Sequence, residues 1–208
     1  MKFQEALEKL RKNTRKRNFN QTVDLILNLK NFDLKREAVA ISFSLPFIYK
    51  KSKVCAFVET KANYEFLEKT ISKTEIEKIS DKDIKKIAKK TDFFIANAKL
   101  MPLIAKKFGK IIGSIGKMPD PSLGCIFAQE STEIIKKTYE NLQNKIKIKT
   151  KELSIKIPVG KEDMKEEEIL KNIETAFKAV IEKLPKKEIN IRSVLIKFTM
   201  GPAIKVEK

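Results

Sequence analysis

Few residues in this chain could do chemistry, and their spacing argues against most catalytic schemes. Histidine is absent from all 208 residues, which removes the commonest general base, the commonest zinc ligand and every histidine-dependent triad. Gly113-Ser114-Ile115-Gly116-Lys117 superficially matches a phosphate-binding loop. That loop requires glycine where Ile111 stands, and Ser or Thr where Met118 stands. Gly109, Gly113 and Gly116 miss the dinucleotide-binding spacing as well. The carboxylates lie on polar helix faces or among lysines, and no two are set apart by apolar surroundings as an acid and a base. Cys55, in an apolar run, and Cys125, beside Gly124, read as reduced core thiols rather than a disulfide or metal site. The expectation is a protein with no catalytic residue, no cofactor and no metal.

What remains is binding chemistry. Lys+Arg number 45 against 27 Asp+Glu, a formal net charge of +18 that calls for an anionic partner. Arg11, Arg15, Arg17, Arg36 and Arg192 are the arginines, and lysine supplies the rest. The last strand-like stretch turns Val194, Ile196 and Phe198 inward, which places Ser193, Lys197 and Thr199 together on the opposite face, just before Met200-Gly201-Pro202. Phe19 stands outside core parity, between a basic segment and a strand start in Arg17-Asn18-Phe19-Asn20-Gln21-Thr22. Hydroxyls, cations and exposed apolar groups on strands and loops suit a structured nucleic acid better than a membrane, which wants Trp, Phe or Leu opposite the lysines of one helix. The chain has no Trp.

The elements that must position these groups follow from hydrophobic periodicity. Phe3, Ala6, Leu7 and Leu10 predict a first helix. Strands are expected over 22–30 and 39–45, where apolar residues alternate with polar ones and only Ile26 breaks the first pattern. Val54-Cys55-Ala56-Phe57-Val58 is apolar on both parities, as in a strand covered on both faces. Helices over 61–70, 81–90 and 102–108 and a strand over 93–96 continue an α/β alternation, and a helix over 132–142 follows. Four of the six glycines and two of the seven prolines fall within residues 109–124, which predicts a long ordered loop. One-sided strands return over 145–157, then a helix whose stripe runs from Ile169 to Leu184 behind Glu166, Glu167 and Glu168. Strand character that changes from one-sided to doubly covered and back implies two domains: a discontinuous one of residues 1–50 and 144–208, and an inserted one of 51–143. The longest uncharged run, residues 38–49, falls short of the ~20 needed to cross a bilayer. The first residues lack the apolar core of a secretory signal, so a cytoplasmic protein is expected.

The residues also carry a resemblance. Arg17-Asn18-Phe19-Asn20-Gln21-Thr22, Asp92-Phe93-Phe94-Ile95-Ala96, Leu100-Met101-Pro102-Leu103-Ile104, Gly116-Lys117-Met118-Pro119 and Thr199-Met200-Gly201-Pro202 occur in order over essentially the whole chain. In them the chain resembles the ribosomal protein L-one family of the large subunit, in its archaeal form. The resemblance implies two α/β domains, an α+β first domain with a one-sided sheet and an inserted three-layer, Rossmann-like second domain. It implies a monomer when free that binds the large-subunit rRNA of the mobile stalk beside the tRNA exit site. It also implies help in releasing deacylated tRNA and repression of the protein's own mRNA through a mimic of the rRNA site. By motif match the main RNA contact falls on Asn18, Phe19, Thr22, Ser193, Thr199, Met200 and Gly201. Ser193 and Thr199 would bond 2′-hydroxyl or phosphate oxygens, Gly201 would let backbone approach RNA, and Phe19 and Met200 would touch sugars or bases. Lys197 shares that face, and Lys30, Lys35 and Arg36 are candidate phosphate partners.

The chain departs from the family pattern in two places. Gly113-Ser114-Ile115-Gly116 replaces Gly-Pro-Arg-Gly, and Phe47-Ile48-Tyr49-Lys50 replaces a stretch containing His-Gly. The first removes an arginine from the inserted domain and leaves Lys117 as its candidate substitute in a second RNA or tRNA contact. The contrasting reading is an enzyme or binding protein that uses a nucleotide on the α/β middle domain.

Overall fold

The computed structural model describes residues 2–15, 17–33, 40–60, 62, 64–150 and 152–206. In chain order the helices are α1 (Phe3–Asn13), α2 (Lys73–Lys78), α3 (Asp81–Lys90), α4 (Met101–Ile115), α5 (Thr132–Gln143) and α6 (Glu166–Lys183). The strands are β1 (Thr22–Leu29), β2 (Ala40–Ser44), β3 (Val54–Val58), β4 (Lys69–Ser72), β5 (Phe93–Asn97), β6 (Ile126–Phe127), β7 (Lys145–Lys149), β8 (Ser154–Lys161), β9 (Ile191–Phe198) and β10 (Ile204–Lys205). The class is α/β, as the patterning implies. The chain divides into two units, Met1–Tyr49 with Asn144–Lys208, and Lys50–Gln143.

In the unit built from the chain ends, an antiparallel sheet runs in the order β10-β9-β1-β8. Period-two patterning gives it one dry face: Val23, Leu25, Leu27 and Leu29 of β1, Ile155, Ile157 and Val159 of β8 and Val194, Ile196 and Phe198 of β9 are buried. They share a core with Phe3, Ala6, Leu7 and Leu10 of α1 and Ile169, Ile173, Ala176 and Val180 of α6. Phe3 meets Phe177 edge to face, with ring centroids 5.6 Å apart. The other face carries Thr22, Asp24, Ile26 and Asn28 of β1, and Ser193, Leu195 and Lys197 of β9, all half-buried. Ile26, the break in the sequence pattern, therefore sits on this open face. β2 and β7 make a separate antiparallel pair that places Ile41 opposite Ile148 and Phe43 opposite Ile146.

The inserted unit is a parallel sheet in the order β4-β3-β5-β6 with a core on each face. Cys55 and Phe57 of β3 join Ile84, Ile104, Phe108 and Ile112 from α3 and α4. Val54, Ala56 and Val58 join Ile135 and Leu142 of α5 on the other side. That double cover is why all five residues of β3 are buried. Cys55 and Cys125 are buried and not in a disulfide, and burial pushes the Cys55 thiol up to about 12, where it is not a nucleophile at neutral pH.

Two sequence expectations fail here. Among the described residues, the helix expected over 61–70 gives way to turns and then β4, because Tyr64, Phe66 and Leu67 pack onto the α5-side core while Ile71 enters the other. The expected long loop over 109–124 is in its first half the continuation of α4. Ile104, Phe108, Ile111 and Ile112 extend a single buried stripe, Gly109 and Gly113 lie off it, and Gly116, at φ 81°, ends the helix in the left-handed region.

Candidate nucleic-acid interface

The end-built unit brings the first and last motifs together at one corner of its sheet. Because β1 and β9 are antiparallel and pair Val23 with Phe198, the next residues outward, Thr22 and Thr199, meet at the edge of the open face. The Thr199 N–H donates to the Thr22 carbonyl at 3.0 Å, and the Thr22 N–H donates to Thr199 Oγ1 at 3.2 Å. The strand pair thus ends in a reciprocal clamp that fixes the Thr199 hydroxyl. Met200 follows in a turn closed by the Gly201 N–H on the Phe198 carbonyl at 3.0 Å, and its side chain is 61% exposed. Phe19, three residues before Thr22, is 51% exposed, and Asn18 beside it is exposed.

Two supporting residues carry no local sequence signal. Gln21, fully buried, accepts from the Met200 N–H at 3.3 Å through Oε1 and donates to Glu162 at 3.3 Å through Nε2. Thr14, which hydrogen-bonds the Leu10 carbonyl at the end of α1, backs the turn: a Cβ on Gly201 would lie 3.1 Å from Thr14 Oγ1 and 3.3 Å from the Phe198 Cβ. Glycine at 201 thus also lets the turn pack closely against Thr14. The exposed cations Arg11, Lys12, Arg15 and Arg17 lie on α1 and the segment that leads from it to this corner. Arg11 donates to the Met164 carbonyl at 3.0 Å and pairs with Glu166 at 3.3 Å.

Not every expected residue gathers here. Ser193 accepts from the Asn28 amide at 2.9 Å, at the opposite end of the same face. Six residues separate it from Thr199, roughly 20 Å along a strand. Lys30 lies beyond that far end, where its N–H donates to the Asn190 carbonyl at 2.7 Å. Lys35 and Arg36 lie outside the described residues. Lys197 is on the open face opposite Asp24. Burial pushes the Asp24 carboxyl above its ordinary value, and Lys197 offsets only part of this. Asp24→Asn should therefore raise stability near pH 7, with the gain shrinking as pH falls through the native pKa and protonation does what the substitution does. It should also tighten polyanion binding by removing a negative charge from the face. Urea unfolding at neutral and acid pH, together with RNA titration, checks both, and a less stable variant at neutral pH would contradict the burial argument.

The model of the ribosomal protein L1p/L10e family matches residues 10–202. The chain belongs to this family. "Large ribosomal subunit protein uL1" of Pyrococcus abyssi is 37% identical, with 99% of this chain and 95% of that protein covered. The proteins of the same name from Nanoarchaeum equitans and Methanocaldococcus jannaschii are each 34% identical, with 92% and 98% of this chain covered and 93% and 94% of theirs. Family and relatives make it a ribosomal protein of archaeal type and not an enzyme, which replaces the enzyme reading. Among the described residues no group of His, Cys, Asp and Glu could hold a metal, and no helix is long and apolar enough to cross a membrane.

In this member of the L1p/L10e family the Gly116-Lys117-Met118-Pro119 stretch has work inside the fold. Gly116 caps α4, Met118 packs on the core and Pro119 is buried. The Lys117 ammonium donates to the Ala88 carbonyl at 2.9 Å and the Thr91 carbonyl at 2.6 Å, neutralising the negative end of α3. The ammonium that the sequence offers as a substitute for the missing arginine thus caps a helix in this structure. Lys117→Met should cost the inserted unit about 1–2 kcal/mol and leave RNA affinity unchanged. Thermal unfolding followed at Tyr139 reads the first effect, and a large loss of RNA affinity would return Lys117 to the interface.

Proposed function

We propose that this chain is a constituent of the large ribosomal subunit in the cytoplasm, binding the stalk rRNA beside the tRNA exit site through the Thr22–Thr199–Met200 corner of its end-built unit. The observation that carries the reading is the reciprocal Thr22–Thr199 clamp, with the exposed Met200 following Thr199 in the chain and the exposed Phe19 three residues before Thr22. The clamp holds a hydroxyl and a backbone turn in fixed positions, so docking costs little conformational entropy. The two apolar side chains offer surfaces for sugar or base faces, and the Thr199 hydroxyl can bond a 2′-hydroxyl. Ser193, Lys197 and Lys30 extend the contact along the open face toward further phosphates. The relatives' shared name supports assembly into the large subunit. The same face serves two further roles in this reading: repression of the protein's own mRNA, through a leader that mimics the rRNA site, and assistance to release of deacylated tRNA. The free protein is a monomer in this account.

The test is binding to a stalk rRNA fragment against a scrambled duplex of equal length, over a range of salt. Nanomolar-order affinity with a clear preference for the fragment is expected, on top of a salt-dependent component shared by both. Equal and steeply salt-dependent binding to the two would reduce the chain to a polycation and reject the site.

A further inference from the structure

The inserted unit contains a second constellation that the RNA face does not use. Its strand order, β4-β3-β5-β6, sends the chain from β3 toward one edge of the sheet and from β5 toward the other. The loops leaving their adjacent C-terminal ends therefore diverge, and in open α/β sheets that divergence opens the crevice in which ligands bind. Here the crevice is filled from within. Glu130, on the loop between β6 and α5, extends its carboxylate across both strand ends. One oxygen accepts from the Glu59 N–H and from Asn97 Nδ2, the latter at 3.0 Å. The other accepts from the Thr60 N–H at 3.4 Å and from the Thr60 hydroxyl at 3.3 Å.

Four donors converging from two strand ends on one two-oxygen group form an oxyanion cradle. Asn97, itself 2% exposed, is fixed by accepting the Lys99 N–H on its Oδ1 at 3.0 Å, so its Nδ2 is aimed at the carboxylate. Successive N–H groups of a loop, Glu59 and Thr60, are the backbone arrangement that binds anions elsewhere. Burial works against the charge on Glu130, yet the Glu59 N–H, the Asn97 amide and the two Thr60 donors together hold its carboxyl below the usual range.

We propose that the crevice at the ends of β3 and β5 is a carboxylate-binding site whose resident ligand is the chain's own Glu130. The tethered carboxylate meets the donors at an effective concentration that a dissolved anion does not match, so the native unit takes up no small anion there. Removing the side chain leaves the Glu59 and Thr60 N–H groups and the Asn97 amide without an acceptor, and a small carboxylate of the same shape replaces it.

The experiment uses the full chain, with acetate as the probe and chloride at matched ionic strength as the control. Glu130→Ala should melt several degrees below the wild type, and its Glu59 and Thr60 amide resonances should move upfield. Acetate should raise the melting temperature of the variant and return those two resonances in a saturable titration, while leaving the wild type unchanged. Glu130→Gln, which keeps the side-chain shape and one acceptor oxygen, provides the readout if the alanine variant does not fold. Its Glu59 and Thr60 amides should shift and exchange faster than in the wild type. The proposal is overturned if acetate acts no differently from chloride on the folded alanine variant, if the wild type responds equally, or if those amides keep their positions in either variant.

Discussion

Thr199→Val should weaken binding of the stalk rRNA fragment by about 1–3 kcal/mol, the range for losing a positioned hydrogen-bonding group from an interface, or one to two orders of magnitude in Kd. Valine keeps the shape and the β-branched stiffness of threonine and removes only the hydroxyl. That hydroxyl has two tasks in this account. It holds the end of the β1–β9 ladder, accepting the Thr22 N–H at 3.2 Å and donating to the Thr22 carbonyl at 3.3 Å, and in the proposed complex it contacts the RNA. The fold should survive its loss, because the Thr199 N–H still reaches the Thr22 carbonyl and the exposed Thr22 N–H can turn to water. Met200→Ala should act in the same direction with no stability change at all, since its side chain is 61% exposed and leaves the core intact. Titration of each variant against the rRNA fragment, with circular dichroism to confirm folding, decides the matter. Wild-type affinity in folded Thr199→Val and Met200→Ala would remove this corner from the interface.

The second large effect concerns stability. Asn172 lies on the buried stripe of α6 among Ile169, Ile173 and Ala176 and is itself fully buried. Its Nδ2 donates to the Phe47 carbonyl at 3.0 Å and the Val159 carbonyl at 2.8 Å, and its Oδ1 accepts from the Phe47 N–H at 3.0 Å. One side chain thus satisfies three backbone groups of two segments distant in the chain. Asn172→Ala leaves all three without a partner beside a new void, a loss of about 3 kcal/mol or more. Urea unfolding followed at Tyr49 should show the end-built unit melting much earlier, while Tyr64 and Tyr139 report an inserted unit that unfolds as before. An unchanged midpoint at Tyr49 would mean that water takes over all three bonds.

The two predictions mark where sequence reasoning reaches and where it stops. A strand with one covered face shows alternation, and a strand covered on both faces shows a continuous apolar run, so β1, β3 and β9 are legible from their residues alone. The strand β4 is not, because Lys69–Ser72 contains a single large apolar residue, Ile71, and its strand state is set by pairing with β3. Glycines at 109 and 113 signal a loop locally, but the buried stripe of α4 outweighs a helix-propensity cost of about 1 kcal/mol each. At the interface, the outward face of β9 follows from parity and the motif residues from the family resemblance. Strand direction and register are invisible in the chain, however. They alone place Thr22 beside Thr199 and send Ser193 and Lys30 to the far end. Gln21 and Asn172 are missed for a related reason: a buried polar group that bonds backbone more than a hundred residues away leaves no periodic trace.

The central claim is that RNA meets the Thr22–Thr199–Met200 corner, and amide chemical-shift mapping of isotope-labelled protein titrated with unlabelled stalk rRNA fragment tests it most directly. The account predicts the largest perturbations at Phe19, Thr22, Thr199, Met200 and Gly201, weaker ones along the open face toward Ser193, and none at Glu59 or Thr60. Perturbations centred on the inserted unit, or spread evenly over the exposed lysines of both units, would contradict it.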